Sequence, residues 1–205
     1  GGGACGSAAL IELIIQSISA SLQNQISFVL IERQKKVGYG LAFGSKQPSH
    51  ILNTQADIMG IYANEPADFA EWLKAHGGKY RSDVKSESDE ENAYTSRLLY
   101  GHYVAEQLEE SIRKAKASQI NIEVIEAEAY DIDRLENERL LIHLTNDSTT
   151  EVDEVLLAPG TPKPNTFKHF KDNLNYIDFP WPTKNLLERT GKKDHVGILG
   201  TSLSA

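Results

Sequence analysis

The sequence predicts an α/β fold, on three observations. A glycine-rich turn opens a helix, a β-rich run after that helix ends on an acid, and a set of short strands follows late in the chain. The turn is Gly1-Gly2-Gly3-Ala4-Cys5-Gly6-Ser7, which matches G-x-G-x-x-G through Gly1, Gly3 and Gly6. It runs into Ala8, Leu10, Ile11, Leu13, Ile14, Ile15 and Ile18, apolar residues at helical spacing. Glycines there let main-chain N–H groups approach a pyrophosphate closely, and the positive end of the helix dipole faces the charge. Glycine triplets also occur in flexible tails, so the motif needs its context.

That context is Ile26-Ser27-Phe28-Val29-Leu30-Ile31, a strand closing at Glu32. An acid roughly 20 residues past the last glycine is where a dinucleotide fold holds a ribose diol. Glu32 fits that position, with Arg33 beside it as a second cofactor-side candidate; the alternative is a solvated carboxylate paired with Arg33. A turn of this kind normally follows a buried parallel strand, so the polypeptide is expected to begin several residues before Gly1.

The next segment, Arg33 to Asn53, carries Gly38, Tyr39, Gly40, Phe43 and Gly44 among Lys35, Lys36 and Lys46. It reads either as a loop passing its backbone close to a flat ligand or as an irregular connection. Glu65-Pro66-Ala67-Asp68-Phe69 is expected to start a helix with proline at its first position, Phe69, Trp72 and Leu73 as its buried stripe, and Gly77-Gly78 as its stop. Ser86 to Asn92 is an acidic run without periodicity, read as a solvated loop. Ser96 to Lys116 is a long amphipathic helix with Leu98, Leu99, Val104, Leu108 and Ile112 inward and a basic C-terminal end. Four short strands follow, Ile120 to Ile125, Glu128 to Leu135, Arg139 to Thr145 and Glu151 to Leu157, the last two joined by a hairpin at Asn146-Asp147-Ser148. Val155-Leu156-Leu157 is expected to return to the sheet, and His195 to Gly200 to form another buried strand ahead of a turn. A meander inserted in a βαβ plan suits a flavin domain better than a plain nicotinamide one.

Composition narrows the function. The 205 residues are 40% hydrophobic and 24% charged, ordinary for a soluble globular chain. The net charge of -8 argues against a nucleic-acid groove or an anionic membrane as partner. No apolar run approaches the roughly 18 residues of a span, and no secretory pattern precedes the first helix. The one cysteine, Cys5, leaves no internal disulfide and fits a reducing compartment, so a cytoplasmic location is expected. Cys5 reads as a small residue in the turn more readily than as a reactive thiol. The six histidines show no metal-ligand spacing, so no metal site is expected, and no Ser/His/Asp grouping supports nucleophilic catalysis.

At Val155-Leu156-Leu157-Ala158-Pro159-Gly160 a second marker joins the first. With Gly1, Gly3, Gly6 and Glu32 it resembles the two-dinucleotide-fold flavoproteins, in which such a strand end closes over FAD. Proline stands where threonine is usual, which removes a hydroxyl contact but keeps the turn at Gly160. Gly38-Tyr39-Gly40-Leu41-Ala42-Phe43-Gly44, His50-Ile51-Leu52-Asn53, Phe69-Ala70-Glu71-Trp72-Leu73 and Arg97-Leu98-Leu99-Tyr100-Gly101-His102-Tyr103, in this order, are similar to the signatures of FAD/NAD(P)-binding proteins of the FAD-dependent urate hydroxylase type.

The resemblance implies a Rossmann-like FAD-binding domain with an inserted antiparallel meander, three layers ββα, over residues 1–165. It further implies an interdomain linker over 166–194 and the start of an NAD(P)-binding domain at 195–205. The implied cofactors are FAD and NAD(P)H, and the implied activity is hydroxylation of a small molecule. Electron transfer to a partner and a non-catalytic cofactor-binding module are the alternatives. By the same resemblance Gly1, Gly3 and Gly6 hold pyrophosphate, Glu32 the adenosine ribose, and Ala129 adenine through its main chain. Asn53 and Arg97 reach the flavin or its phosphates, a structural pairing of Arg97 with the acidic loop being the alternative. Gly200 belongs to a second phosphate turn in which serine replaces the middle glycine. His50 and His102 either line the flavin pocket or are structural, and Trp181 is expected to stiffen the interdomain crossing, contact with the active site being the alternative. Catalytic residues, substrate and oligomeric state are left open.

Overall fold

The computed structural model describes residues 1–47, 49–76, 79–80, 94–163, 165–181, 183–191 and 195–199. The expected glycine stop at 77–78, the acidic run at 86–92 and the second turn with Gly200 lie outside them.

Helix α1 spans Ala4–Ser19 and buries Leu10, Ile11 and Ile14 on one face, leaving Leu13 and Ile15 each 41% exposed on the other. Strand β1, Ser27–Glu32, follows and pairs in parallel with β2, Asn121–Glu126, from Ser27 opposite Asn121 to Glu32 opposite Glu126. The connection between them holds α2 (Gly40–Phe43), a 3-10 turn (Ala56–Ile58), α3 (Asp68–His76) and α4 (Arg97–Ala117). After β2 come β3 (Ala129–Arg134), β4 (Leu140–Leu144) and β5 (Thr149–Val152), an antiparallel sheet in sequential order. The segment beyond carries a 3-10 turn at Lys168–Phe170 and α5 at Thr183–Arg189.

Alternation along β1 makes three layers. Phe28 and Leu30, with Ile122 of β2, meet Leu10, Ile11 and Ile14 of α1 and Leu108 and Ala115 of α4. Ile31 and Ile125 belong to the other face and pack with Ala127 and with Ile142, Leu144 and Val152 of the antiparallel sheet. A period of two along a strand places neighbours on opposite faces, so a nearly continuous apolar run such as Phe28–Ile31 suits a strand covered on both sides. The third core lies among Leu52, Ala56, Phe69, Trp72, Leu99, Tyr100 and Tyr103, with Ala4 of α1 and Phe43 of α2 packed against it.

Helix α4 starts where the sequence places it. Ser96 is its N-cap, the hydroxyl accepting from the Leu99 N–H at 3.2 Å. Tyr103 on its buried face donates to Asp68 Oδ2 at 2.5 Å and accepts from the Ile61 N–H at 2.9 Å. Burial first, then the Asp68 hydrogen bond, push its hydroxyl pKa well up. Burial likewise raises Tyr100, to about 12, so both phenols are neutral donors at any physiological pH.

Three expectations are corrected. Pro66 is not in the first turn of α3: its carbonyl accepts from the Gly60 N–H at 2.7 Å, in a turn that closes before the helix begins at Asp68. Val155-Leu156-Leu157 does not rejoin the sheet. β5 ends at Val152, Val155 only flanks the core beside the antiparallel sheet, and Leu156 and Leu157 are 61% and 73% exposed. Among the described residues β1 and β2 pair only with each other, so the run finds no strand to satisfy its backbone. The same holds for His195 to Leu199, which form no strand and leave Val196, Ile198 and Leu199 exposed. The hairpin, by contrast, forms as read, with Asp147 in the left-handed region (φ 63°) and Leu144 N donating to Ser148 O at 3.0 Å.

Removing the Ser96 cap leaves the first turn of α4 one acceptor short. Ser96→Ala is expected to lower stability by about 1 kcal/mol, read as a shift in the urea midpoint without change in slope.

Candidate functional site: a glycine turn closed by Glu32

Gly3 precedes α1 in extended backbone (φ -71°, ψ -174°); no side chain caps the helix and its first turn carries no acid. The leading amides of a helix have no intrahelical acceptor, so this end offers donors and a partial positive charge to an anion. Gly2, Gly6 and Ser7 are buried while Gly1 and Cys5 are exposed, which turns one rim of the loop toward solvent. Cys5 thus lies on the surface of the first helical turn rather than packed within the loop.

The glycines are there because something lies against each. A Cβ on Gly6 would run into the Gly1 carbonyl oxygen, and one on Gly1 would stand 2.6 Å from the Ala158 carbonyl oxygen. Ala158 also sets its methyl 3.4 Å from the Gly6 position, so the Ala-Pro-Gly marker lies directly on the turn. Gly160 itself has φ 73° with open space around it, the backbone a tight turn needs.

Glu32 is the closure. Its Oε2 accepts from the Gly2 N–H at 2.6 Å and its Oε1 from the Gln34 N–H at 2.9 Å, with the residue only 8% exposed. A carboxylate has about four lone-pair sites, so two such bonds leave acceptor capacity for a further donor. Ser7 adds a hydrogen bond from its hydroxyl to the Gly2 carbonyl at 3.2 Å. The sequence reading missed Ser7, and its place directly after the last glycine is the only signal that could have found it.

The loop after β1 braces the turn. Gly38 N donates to the Gly2 carbonyl at 2.6 Å; with φ 94°, and Ala105 backbone 2.7 Å from where a Cβ would be, only glycine fits. Gly40, at φ 55°, approaches Gly3. The close approach seen at these glycines is to the turn and to α4.

The other candidates fall on two flanks. Arg33 pairs with Glu128 at 3.6 Å, both more than half exposed, so it ties the end of β1 to the start of β3. Ala129 opens β3 opposite Leu144, just before a register shift. Asn53 and Arg97 are brought together on the far side: Arg97 Nη2 donates to Asn53 Oδ1 at 3.4 Å and its Nε to the Ile51 carbonyl at 3.2 Å. His50 lies next to this pair. Its Nδ1 is 2.7 Å from Ser45 Oγ, its Nε2 3.4 Å from Thr183 Oγ1, and its ring meets Trp181 edge-on at 4.8 Å. Burial, then the Arg97 charge, lower its pKa and favour the neutral ring. Trp181 thus packs on His50, in the loop that carries Asn53. His102 is bonded through Nδ1 to Tyr39 Oη at 2.9 Å and stacked on Tyr80 at 5.0 Å.

An uncapped helix end, a glycine at each crowded point and a carboxylate with spare acceptor sites fit the diphosphate and ribose of FAD. A family model described as FAD-NAD(P)-binding matches residues 1–162, and the chain belongs to that family. The family supports FAD and NAD(P)H as the cofactors, in a mixed α/β domain. Among curated proteins the chain is similar to the uncharacterized protein YdhS of Escherichia coli (strain K12), at 24% identity over 198 residues. The match covers 93% of this chain and 35% of that protein, so the chain spans about a third of its relative's length.

Glu32→Ala is expected to weaken FAD binding by about 1–3 kcal/mol, measured by quenching of flavin fluorescence on titration. Glu32→Gln keeps one acceptor and should lose less. Gly6→Ala forces the Gly1 carbonyl out of place, so FAD binding and the thermal midpoint should both drop; a variant that binds FAD as well as the parent would contradict the geometry.

Proposed function

We propose that this chain is the FAD-binding portion of an NAD(P)H-dependent flavin oxidoreductase. The observation that carries the reading is the Gly2–Glu32 hydrogen bond at the open end of α1, in a chain of the FAD-NAD(P)-binding family. The parallel β1–β2 pair between helices and an antiparallel sheet supports a Rossmann-like three-layer arrangement.

In this reading the amides at Gly3 and the first turn of α1 bind the diphosphate, with Gly1 and Gly6 allowing backbone contact. Glu32 accepts from the adenosine ribose, and Arg33 and the Ala129 main chain stand on the adenine side. Asn53 and Arg97 orient the flavin half, Arg97 held in place by Ile51 and Asn53, and Gly160 keeps the Ala158 turn closed over the glycines. Gly200 is assigned to the nicotinamide nucleotide. Bound FAD supplies a two-electron acceptor for hydride from NAD(P)H. The protein's own part is to bind, orient and exclude water around that exchange.

The finer proposal is a monooxygenase acting on a small molecule in the cytoplasm, supported by the succession of motifs that resemble the urate hydroxylase type. Delivery of the electrons to a protein or quinone-like acceptor is the alternative.

The native polypeptide that carries this sequence, reconstituted with FAD, should be yellow and oxidise NADH or NADPH. A monooxygenase consumes O₂ in step with a substrate and places one oxygen atom from ¹⁸O₂ in the product. NAD(P)H oxidation that needs an added electron acceptor, with no label incorporated, assigns the reductase instead. A polypeptide that stays colourless with excess FAD overturns the proposal.

A further inference from the structure

Tyr100 of α4 is a core residue whose hydroxyl the fold does not use. The residue is 7% exposed, its ring edge-on to Phe43 at 4.7 Å and to Phe69 at 5.1 Å, so the packing fixes where the phenol points. Tyr103, one turn further along α4, donates to Asp68 and accepts from the Ile61 N–H. The Tyr100 hydroxyl has no hydrogen-bond partner among the described residues. Nor is it sealed off: the one side-chain polar atom there that is both buried and unpaired is Asp57 Oδ1, so the Tyr100 oxygen keeps accessible surface. A donor on a nearly buried ring, unpaired yet open, is satisfied only by a molecule that comes to it.

Three contacts place that hydroxyl beside the glycine turn. Helix α2 bridges the two: it begins at Gly40, where a Cβ would stand 3.1 Å from Gly3 Cα, and ends at Phe43, on which Tyr100 packs. Ala4, in the first turn of α1, packs against the same core as Tyr100. Burial is the larger cause of the raised Tyr100 pKa and the Cys5 side chain the other, so the oxygen faces the first turn of α1. That turn offers unpaired amides to an anion, and a neutral phenol beside it can donate to the same anion. We infer that Tyr100 Oη donates a hydrogen bond to a diphosphate oxygen of bound FAD. This rests on the FAD-binding reading above and adds to it a side-chain donor from α4, in a seat otherwise made of main-chain amides.

The test is Tyr100→Phe in the native polypeptide, which removes the hydroxyl and keeps the ring. FAD and ADP serve as separate probes, since ADP carries the diphosphate and adenosine but no flavin. Affinity for each should fall about tenfold or more, the loss expected for a hydrogen bond to a charged group. The ligand-free variant should unfold at the parent temperature, because the hydroxyl has no protein partner to lose. Unchanged FAD affinity overturns the inference and leaves solvent as the partner of the phenol. A loss for FAD with none for ADP also overturns it, by moving the contact to the flavin half. So does a ligand-free variant that unfolds well below the parent or does not fold, since the hydroxyl would then be structural. Failure of the parent to bind FAD at all would instead remove the functional reading itself.

Discussion

The hydrogen bond from Gly2 N to Glu32 fixes the relation between the glycine turn and the end of β1, and the rest of the site depends on that relation. A charge-assisted bond of this length in a nearly buried setting is stronger than an amide–carbonyl pair. It also leaves the carboxylate oriented before any ligand arrives, so binding need not freeze a free side chain. Gly38 and Ser7 repeat the device from other directions, both closing on the Gly2 carbonyl. The turn is held at both its N–H and its C=O, and only its outer rim is left to a ligand.

The layers explain why the turn sits where it does. α1 is pressed onto one face of the parallel pair by Leu10, Ile11 and Ile14, and α4 lies beside it. The antiparallel sheet covers the opposite face through Ile142 and Leu144. With both faces occupied, the C-terminal end of β1 and the N-terminal end of α1 are brought together, which is where an open α/β sheet carries its ligands. The third core, around Phe69, Tyr100 and Tyr103, brings the Asn53 loop up to the same end.

Much of this was legible in the sequence because the signals were local. The glycine spacing, the helical periods of α1 and α4 and the Asn-Asp-Ser hairpin each rest on residues within a few positions of one another. Arg97 and Asn53 were marked by motif, but their contact depends on the Ile51–Ser96 bridge, which no periodicity announces. Val155 to Leu157 has the composition of a strand and, among the described residues, no neighbour to pair with, since strand formation is decided by partners and not by propensity alone. Gly38 and Gly40 were recognised as significant but for a different reason. Their absent side chains make room for Ala105 and Gly3, distances that only folded coordinates reveal.

The Ala158 carbonyl resting on Gly1 sets an order of events in the cell. Gly1 is made long before Ala158, the residue that closes over it. A growing chain would expose an unfinished glycine loop until that late contact forms, and long-range contacts of this kind are slow to find. A site that needs this contact is complete only once Ala158 has been made and has found the turn.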